Sequence, residues 1–210
     1  YEVPCRDWSS DVCSSDLESS YAGYPCVFVR LSECNLRCSY CDTQYAFGDG
    51  RSMAISSILD EVKRFSCPLV EITGGEPLFQ DDVITLCEEL LGTNLSVLLE
   101  TNGSLYLEDL PREVIKIVDV KTPGSGMGNS FLKWNLKYLN PHDELKFVIT
   151  NYIDYLFAKN FIEANQPQVA HIHFAPVTSV LEPSLLAAWM LEDKLKARLS
   201  LQLHRLLAIP

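Results

Sequence analysis

Short apolar segments alternate with amphipathic ones along most of the chain, and this alternation limits the available folds more than any other feature. The apolar segments are rich in β-branched residues and too short for buried helices, so they predict strands. They are Cys26–Leu31, Leu69–Thr73, Ser96–Thr101, Ile115–Lys121, Leu145–Thr150, His171–Ala175 and, less regularly, Ala197–Leu203. Amphipathic spacing predicts helices at Ile55–Phe65, Asp81–Leu91, Ile153–Ala164 and Leu185–Leu191. Strands that alternate with helices or long connections are typical of parallel βα units, so we predict an α/β protein.

The bulk composition narrows the class of partner. The 210 residues, 47% of them hydrophobic, are enough for one core and too few for two comfortable domains. Lys and Arg number 17 against 28 Asp and Glu, and the net charge of −11 argues against a nucleic-acid binder. The sequence has no run of about 18 apolar residues and no signal-peptide pattern at its start, so we expect no membrane span and no secretion. A small-molecule substrate in the cytoplasm is the better expectation.

Polar and glycine-rich clusters directly follow the predicted strands. They are the cysteines after residue 31, Thr73–Pro77, Glu100–Gly103, Lys121–Gly126 and Ala175-Pro176. In βα barrels and in open parallel sheets, the carboxyl ends of the strands build the active site. We therefore expect these clusters to face one another around a single site.

Three of the eight cysteines lie in one short segment, as Cys34-x3-Cys38-x2-Cys41. Such clustering is typical of a metal site in a reducing compartment, whereas a disulfide scaffold spreads its cysteines along the chain. Thiolates bind either zinc or an iron–sulfur cluster. Structural zinc usually has two pairs of ligands, and no second pair follows here. Three ligands in one loop leave a metal position open for a substrate or cofactor. Cys67 and Cys87 lie in apolar segments and are predicted to be small buried residues.

The spacing of the three cysteines resembles that of the radical S-adenosylmethionine (SAM) superfamily. The resemblance implies a [4Fe-4S] cluster on Cys34, Cys38 and Cys41, whose remaining iron binds SAM. The segment Thr73–Pro77 (TGGEP) resembles the superfamily motif that hydrogen-bonds the SAM amino group. By the same resemblance, the residues expected to bind SAM are Tyr40, Cys41, Asp42, Gly75, Glu76, Thr101, Lys121, Thr122, Pro123 and Ser125.

A narrower resemblance, from Glu18 to Pro210, is to the 7-carboxy-7-deazaguanine synthases of queuosine biosynthesis. It rests on Gly23–Leu31, Cys34–Thr43, Thr73–Leu78, Glu100–Gly103, Asp119–Gly126, Leu201–Arg205 and Ile209-Pro210. It implies an abbreviated, incomplete TIM-like βα barrel of the radical SAM type, and a homodimer. It also implies a carbon–nitrogen lyase that converts 6-carboxy-5,6,7,8-tetrahydropterin to 7-carboxy-7-deazaguanine with loss of ammonia. The implied cofactors are the cluster, recycled SAM and Mg²⁺, with a one-electron donor such as flavodoxin or ferredoxin.

The same resemblance implies the magnesium and substrate contacts. Thr43 corresponds to a hydroxyl ligand of Mg²⁺, an ion that keeps waters and takes its other ligands from the substrate. Arg30 corresponds to the clamp of the substrate carboxylate, a role that suits a bidentate guanidinium. Further substrate contacts correspond to Glu18, Thr73, His204 and the carboxylate of Pro210. No catalytic residue is expected beyond the cofactor chemistry.

The N-terminal segment does not fit this pattern. Arg6–Leu17 has no usable periodicity and resembles translated sequencing-adapter sequence, with a natural but irregular N-terminus as the alternative. Asp16 and Leu17 stand where the family has Gln and Gly. We therefore interpret residues 1–17 as a non-native or disordered segment and residues 18–210 as a single radical SAM domain. The sheet is expected to begin at Cys26, with few core contacts from Tyr1–Asp16.

Two other functions remain open from the sequence. One is a glycyl-radical-enzyme activase of the same superfamily, which acts on a protein backbone. Such an enzyme has less need of Arg30, Thr43 and a closing tail at His204–Pro210. The other is a zinc-bound interaction module, which would be colourless, whereas a reconstituted iron–sulfur protein is brown.

Overall fold

The computed structural model describes residues 2–7, 19–48 and 50–202, with the backbone alone for residues 2–7. The strands in these ranges are β1 (Glu2–Asp7), β2 (Val27–Leu31), β3 (Arg51–Ala54), β4 (Leu69–Gly74), β5 (Ser96–Thr101), β6 (Ile115–Asp119), β7 (Glu144–Ile149), β8 (His171–Pro176) and β9 (Arg198–Leu199). The α-helices are α1 (Ile55–Arg64), α2 (Val83–Leu91), α3 (Tyr152–Asn165) and α4 (Pro183–Glu192). Short 3₁₀ helices lie at Gln44–Phe47, Pro77–Phe79, Pro123–Ser125 and Lys133–Tyr138. None of the helices described is long and apolar enough to cross a membrane.

The strands form one sheet in the order β3-β1-β2-β4-β5-β6-β7-β8-β9. Every neighbouring pair from β2 to β9 is parallel. Parallel neighbours need crossover connections, which the helices and the long loops supply. Because β3 and β9 lie at opposite ends of this order, the barrel is not closed. The predicted α/β class, with an incomplete βα barrel, is confirmed.

The prediction that the sheet begins at Cys26 is wrong. β1 lies between β2 and β3 and pairs antiparallel with both, through Cys5 opposite Leu31 and Val3 opposite Met53. Without β1, the outer side of β2 would leave its backbone N–H and C=O groups without strand partners, which is costly for a buried strand. Residues 8–18 lie outside the described ranges, so the interpretation of that part of the N-terminal segment stays a prediction.

The two faces of the parallel strands have different chemistry. Side chains alternate along a strand, so one face packs on the helices while the other points into the barrel. The outer face is apolar and joins Ile58 of α1 and Leu90 of α2 in a core whose members are almost fully buried. Cys67 and Cys87 are buried in this core, as predicted. The inner face carries charged side chains near the carboxyl ends of the strands.

Candidate active site

A cavity of about 340 Å³ lies at the carboxyl ends of β2, β4, β5, β6, β7 and β8. Its lining includes members of each strand-end cluster, from the cysteines and Thr73–Gly75 to Glu100–Asn102, Lys121 and Ala175-Pro176. A cavity of this size is typical of small-molecule sites. The expected convergence of the clusters is therefore found in the fold.

The cysteine loop, residues 32–43, is held by two other strand-end loops. After β4, the N–H of Gly75 donates to Leu31 O (3.1 Å) and the N–H of Glu76 donates to Glu33 O (2.8 Å). A Cβ atom at Gly75 would lie 1.9 Å from Glu33 O, so only glycine permits this approach. After β6, the Ser39 N–H donates to Ser125 O (3.0 Å) and its hydroxyl to Gly124 O (2.8 Å).

The thiols of Cys34, Cys38 and Cys41 are free and line the same cavity. Burial raises the pKa of all three, and the Lys121 ammonium opposes that rise. In the part of the chain described, no three His, Cys, Asp or Glu side chains are close enough together to hold a single metal ion. A structural zinc ion binds all its thiolates at about 2.3 Å, whereas a [4Fe-4S] cluster spreads its thiolates over several irons.

Two buried polar atoms beside the thiols have no hydrogen-bond partner among the described residues. They are the hydroxyl of Tyr40 and Oδ1 of Asp119, and both residues line the cavity. The other carboxylate oxygen of Asp119 lies 2.6 Å from the Lys121 ammonium. Burial alone would lower the pKa of Lys121, but Asp119 and other nearby acidic groups raise it. Buried polar atoms without partners are costly, so a polar ligand in the cavity would stabilise this wall.

Of the residues expected to bind SAM, Tyr40, Cys41, Asp42, Gly75, Thr101 and Lys121 line the cavity. The remaining residues, Glu76, Thr122, Pro123 and Ser125, do not line it. The Glu76 carboxylate is fully buried and accepts hydrogen bonds from Thr101 Oγ1 and from the N–H of Asn102, both at 2.7 Å. Burial raises the pKa of Glu76. In this structure Glu76 fixes the end of β5, and the Ser125 carbonyl fixes the cysteine loop.

The opposite wall of the cavity carries Arg30, Thr73, Glu100 and Lys146. The Arg30 guanidinium lies 5.8 Å from the centre of the Tyr45 ring and has no carboxylate partner among the described residues. The Lys146 ammonium lies 3.0 Å from Glu100 Oε1, and the Thr73 hydroxyl donates to Glu100 Oε2 at 3.3 Å. Arg30 is therefore available to bind an anion, while Lys146 is already paired.

Thr43 lies at the rim of the cavity, and its hydroxyl donates to Asp42 Oδ1 at 3.0 Å. The other oxygen of Asp42 accepts from the Gln202 amide at 3.0 Å. This contact ties the C-terminal part of the chain to the cysteine loop. Glu18, His204 and Pro210, the remaining expected substrate contacts, lie outside the described residues.

Sequence reasoning missed several cavity residues. Among them are Tyr45, Lys146 and Gln202, whereas Glu100, Asn102 and Asp119 lie in segments that the sequence singled out without assigning these residues a role. The signal for Glu100 and Asp119 was present, because both are charged residues at the ends of apolar strands. Lys146 interrupts the apolar run of β7, and a charge at such a position indicates a function or a buried partner. Tyr45 and Gln202 carried no comparable signal.

The comparison with known proteins agrees with this site. Residues 29–121 match the radical SAM superfamily. A 7-carboxy-7-deazaguanine synthase from Koribacter versatilis is 44% identical over 209 residues, covering 92% of this chain and 92% of that protein. The chain belongs to the 7-carboxy-7-deazaguanine synthase family. The synthase from Chlorobaculum tepidum is 43% identical over 192 residues, covering 90% of this chain and 87% of that protein. The crystal structure of QueE from Escherichia coli superposes with a TM-score of 0.79 over 97% of this chain and 95% of that chain, at 20% sequence identity.

Membership of the synthase family, a radical SAM family, implies a [4Fe-4S] cluster and SAM. The described residues fit both groups. Three free thiols on one wall provide the donor set that a cluster with one open iron requires. Next to them, Tyr40 and Asp119 present buried polar atoms that a polar cofactor would satisfy.

Proposed function

We propose that this chain converts 6-carboxy-5,6,7,8-tetrahydropterin to 7-carboxy-7-deazaguanine with loss of ammonia. The single observation that carries the proposal is Arg30, a cation without a carboxylate partner among the described residues, in the same cavity as the three free cysteines. A cavity that contains both a cation and three free cysteines suits a substrate that bears a carboxylate and reacts next to a cluster. The names of two similar synthases, from Koribacter versatilis and Chlorobaculum tepidum, support the choice of product.

The cysteine wall would hold the cofactors. Cys34, Cys38 and Cys41 would bind the cluster through their thiolates, and Tyr40, Asp119 and Lys121 would bind the polar groups of SAM. When bound, these two groups supply a carbon-centred radical that removes a hydrogen atom from the substrate. Lys121, tied to Asp119 at 2.6 Å, offers a fixed positive charge to the SAM carboxylate.

The opposite wall would hold the substrate at two ends. Arg30 would clamp the substrate carboxylate with two parallel hydrogen bonds. Glu100 and Thr73 would face the N–H groups of the pterin ring, because the Glu100 carboxylate accepts hydrogen bonds and its pKa is held below the usual value. Glu18, His204 and the Pro210 carboxylate are proposed as further substrate contacts.

We also propose a Mg²⁺ ion at Thr43. A single hydroxyl is a weak ligand, so the ion would keep waters and take oxygens from the substrate carboxylate. The hydrogen bond from Thr43 to Asp42 directs the hydroxyl proton to the carboxylate, which leaves the oxygen lone pairs for the ion. A homodimer in the cytoplasm, reduced by a carrier such as flavodoxin or ferredoxin, completes the proposal.

The test is turnover of the reconstituted protein under anaerobic conditions with SAM, dithionite, Mg²⁺ and the carboxytetrahydropterin. We expect 7-carboxy-7-deazaguanine and ammonia in equal amounts, with many turnovers per SAM. Arg30→Met should raise KM for the pterin about 10–100-fold, the loss expected for a charged bidentate contact. Iron content and SAM affinity should not change in that variant. A fully reconstituted protein that binds SAM and yields no deazaguanine product would overturn the proposal.

A further inference from the structure

Lys146 is a charged residue in the middle of β7, a strand whose other members after Glu144 are apolar. It lies in β7 between Leu145 and Phe147, both fully buried, and is itself only 6% exposed. A buried ammonium group is costly unless it is paired. Its partner is Glu100 of β5, at 3.0 Å, and the pair lies in the cavity. β6 separates the two strands in the sheet, so the contact crosses the inside of the barrel.

The Glu100 carboxylate is engaged at both oxygens. Oε1 faces Lys146, and Oε2 accepts from the Thr73 hydroxyl. These two contacts fix the plane of the carboxylate relative to β4 and β7. The side chain of Glu100 nevertheless remains 28% exposed, so it can also reach a ligand.

The other charged groups around Glu100 contact different residues. Lys121, after β6, is bound to Asp119 at 2.6 Å, and Arg30 of β2 stacks near Tyr45. His173 of β8, which lies opposite Lys146 in the strand register, contacts Glu144 at 2.8 Å. Lys146 is thus the cation in direct contact with Glu100. Burial alone would raise the pKa of Glu100, but Lys146, followed by Lys121 and Arg30, holds that pKa below its usual value.

We propose that Lys146 is a positioning residue, which fixes the orientation and the negative charge of Glu100 so that Glu100 and Thr73 together receive the N–H edge of the substrate ring. This inference deepens the proposed function and rests on it for the identity of the substrate. Lys146 neutralises Glu100 without occupying its exposed side, and Arg30 remains available for the carboxylate at the other end of the substrate. Arg30 would therefore bind the substrate carboxylate, while Glu100 and Thr73 would accept hydrogen bonds from neutral N–H groups of its ring.

The first experiment does not depend on turnover. The pKa of Glu100 is measured by ¹³C NMR titration of glutamate-labelled protein, with Glu100→Gln to assign the signal. Removing the ammonium in Lys146→Met should move the Glu100 midpoint to higher pH, because burial then acts without its main opposing charge. Lys146→Arg should restore the low midpoint. Lys159→Met is the matched control, since it removes a 2.9 Å ion pair with Asp193 outside the cavity. An unchanged midpoint in Lys146→Met would overturn the proposal.

The second experiment asks whether Lys146 acts through Glu100. In Lys146→Met, the acid limb of the kcat/KM profile should move to higher pH, and KM for the pterin should rise on the order of tenfold near neutral pH. SAM affinity should stay unchanged. In a Glu100→Gln background, Lys146→Met should add no further loss. Additive losses, or a Lys146→Arg variant as impaired as Lys146→Met, would show a merely structural role and overturn the proposal.

Two further provisions keep a misfolded variant, or a failure of the proposed function, distinguishable from a failure of this inference. If Lys146→Met does not fold, Lys146→Gln, which keeps a donor without the charge, takes its place in both experiments. If the unmodified enzyme makes no deazaguanine, the proposed function fails, while the titration still decides whether Lys146 controls Glu100.

Discussion

The six described cysteines occupy two contrasting environments. Cys26, Cys67 and Cys87 are buried in the core, where burial raises the pKa of Cys87 to about 12. Cys34, Cys38 and Cys41 lie at the cavity surface, where Lys121 opposes the effect of burial on their pKa. A thiolate is the form that binds iron. The location of each cysteine, and not its residue type, therefore separates the proposed metal ligands from the packing residues.

Replacing Cys34 by alanine should abolish the brown absorbance and the cleavage of SAM. The reason is that the cluster would lose one of its three thiolates. The matched control is Cys67→Ala, which should cost about 1–3 kcal/mol of packing and leave the iron content unchanged. Iron and sulfide analysis of both variants after anaerobic reconstitution makes the comparison. A full [4Fe-4S] complement in Cys34→Ala would contradict the cluster assignment.

Thr43→Ala should weaken the dependence of activity on Mg²⁺. Loss of the hydroxyl removes the single protein ligand proposed for the ion, so a higher Mg²⁺ concentration should be needed for half-maximal activity. Cluster content should remain, since Thr43 contributes no thiolate. The measurement is a Mg²⁺ titration of both enzymes after chelation. An enzyme fully active in excess chelator would exclude the proposed ion.

At the level of strands and loops, the cavity depends on how closely β4 approaches the cysteine loop. The Gly75 N–H bonds to Leu31 O, and a side chain there would collide with Glu33 O at 1.9 Å and with Cys34 Cβ at 2.9 Å. Both obstacles belong to the loop that carries the cluster ligands. The close approach therefore fixes the distance between the Thr73–Pro77 motif and the thiols.

Gly75→Ala should displace the cysteine loop and lower both cluster occupancy and SAM affinity, while the protein stays folded. Gly92→Ala is the control, because a Cβ there meets no atom closer than 3.4 Å. Iron stoichiometry, a SAM binding titration and a thermal melt on each variant test this. Normal iron and SAM binding in Gly75→Ala would show that the cysteine loop can move to accommodate the added methyl group without losing either cofactor.

Elements with strong apolar patterns were predictable, whereas β1 and β3, at one end of the sheet, were not. The predicted strands at residues 26–31, 69–73, 96–101, 115–121, 145–150 and 171–175 all occur, within a few residues. β3 was missed because Arg51–Ala54 has only four residues and two of them are polar, and β1 because Pro4 breaks the usual strand pattern. The cysteine site was recognisable from one short motif, whereas the Lys146–Glu100 contact joins residues 46 positions apart. No short sequence pattern predicts a contact between residues so far apart in the chain.

At the scale of the whole molecule, buried charged residues also lie in the barrel interior below the cavity. Glu144, at the start of β7, is 1% exposed, contacts His173 at 2.8 Å and accepts hydrogen bonds from the N–H and hydroxyl of Ser20. Burial would raise the pKa of Glu144, but the contact with His173 and the hydrogen bonds from Ser20 hold that pKa below the usual value for a glutamate. The loop at residues 19–24 is thereby tied to the inside of the barrel.

We expect the contribution of Glu144 to the free energy of unfolding to decrease at acidic pH. Because its pKa is lower in the folded than in the unfolded chain, its contribution is complete above about pH 4.3 and is lost as the pH falls towards the folded value. Glu144→Gln should cost about 1–3 kcal/mol at neutral pH. The difference from the unmodified protein should shrink below pH 4.5. Urea unfolding at several pH values measures this, and a difference that is constant with pH would exclude the role given to Glu144.

The contacts of the cysteine loop also have a consequence for biosynthesis. The backbone partners described for this loop lie no further along the chain than Ser125, whereas the opposite wall needs β7 and β8. The 51 residues from Gly126 to Pro176, where β8 ends, take about 3–10 s to translate, at about 5–20 residues per second. During that interval the nascent chain already carries every residue of the cysteine wall, whereas the opposite wall still lacks Lys146 and the strands β7 and β8. Cluster delivery on the ribosome would therefore meet an open, solvent-facing surface, and delivery after release would have to pass through the mouth of a finished cavity.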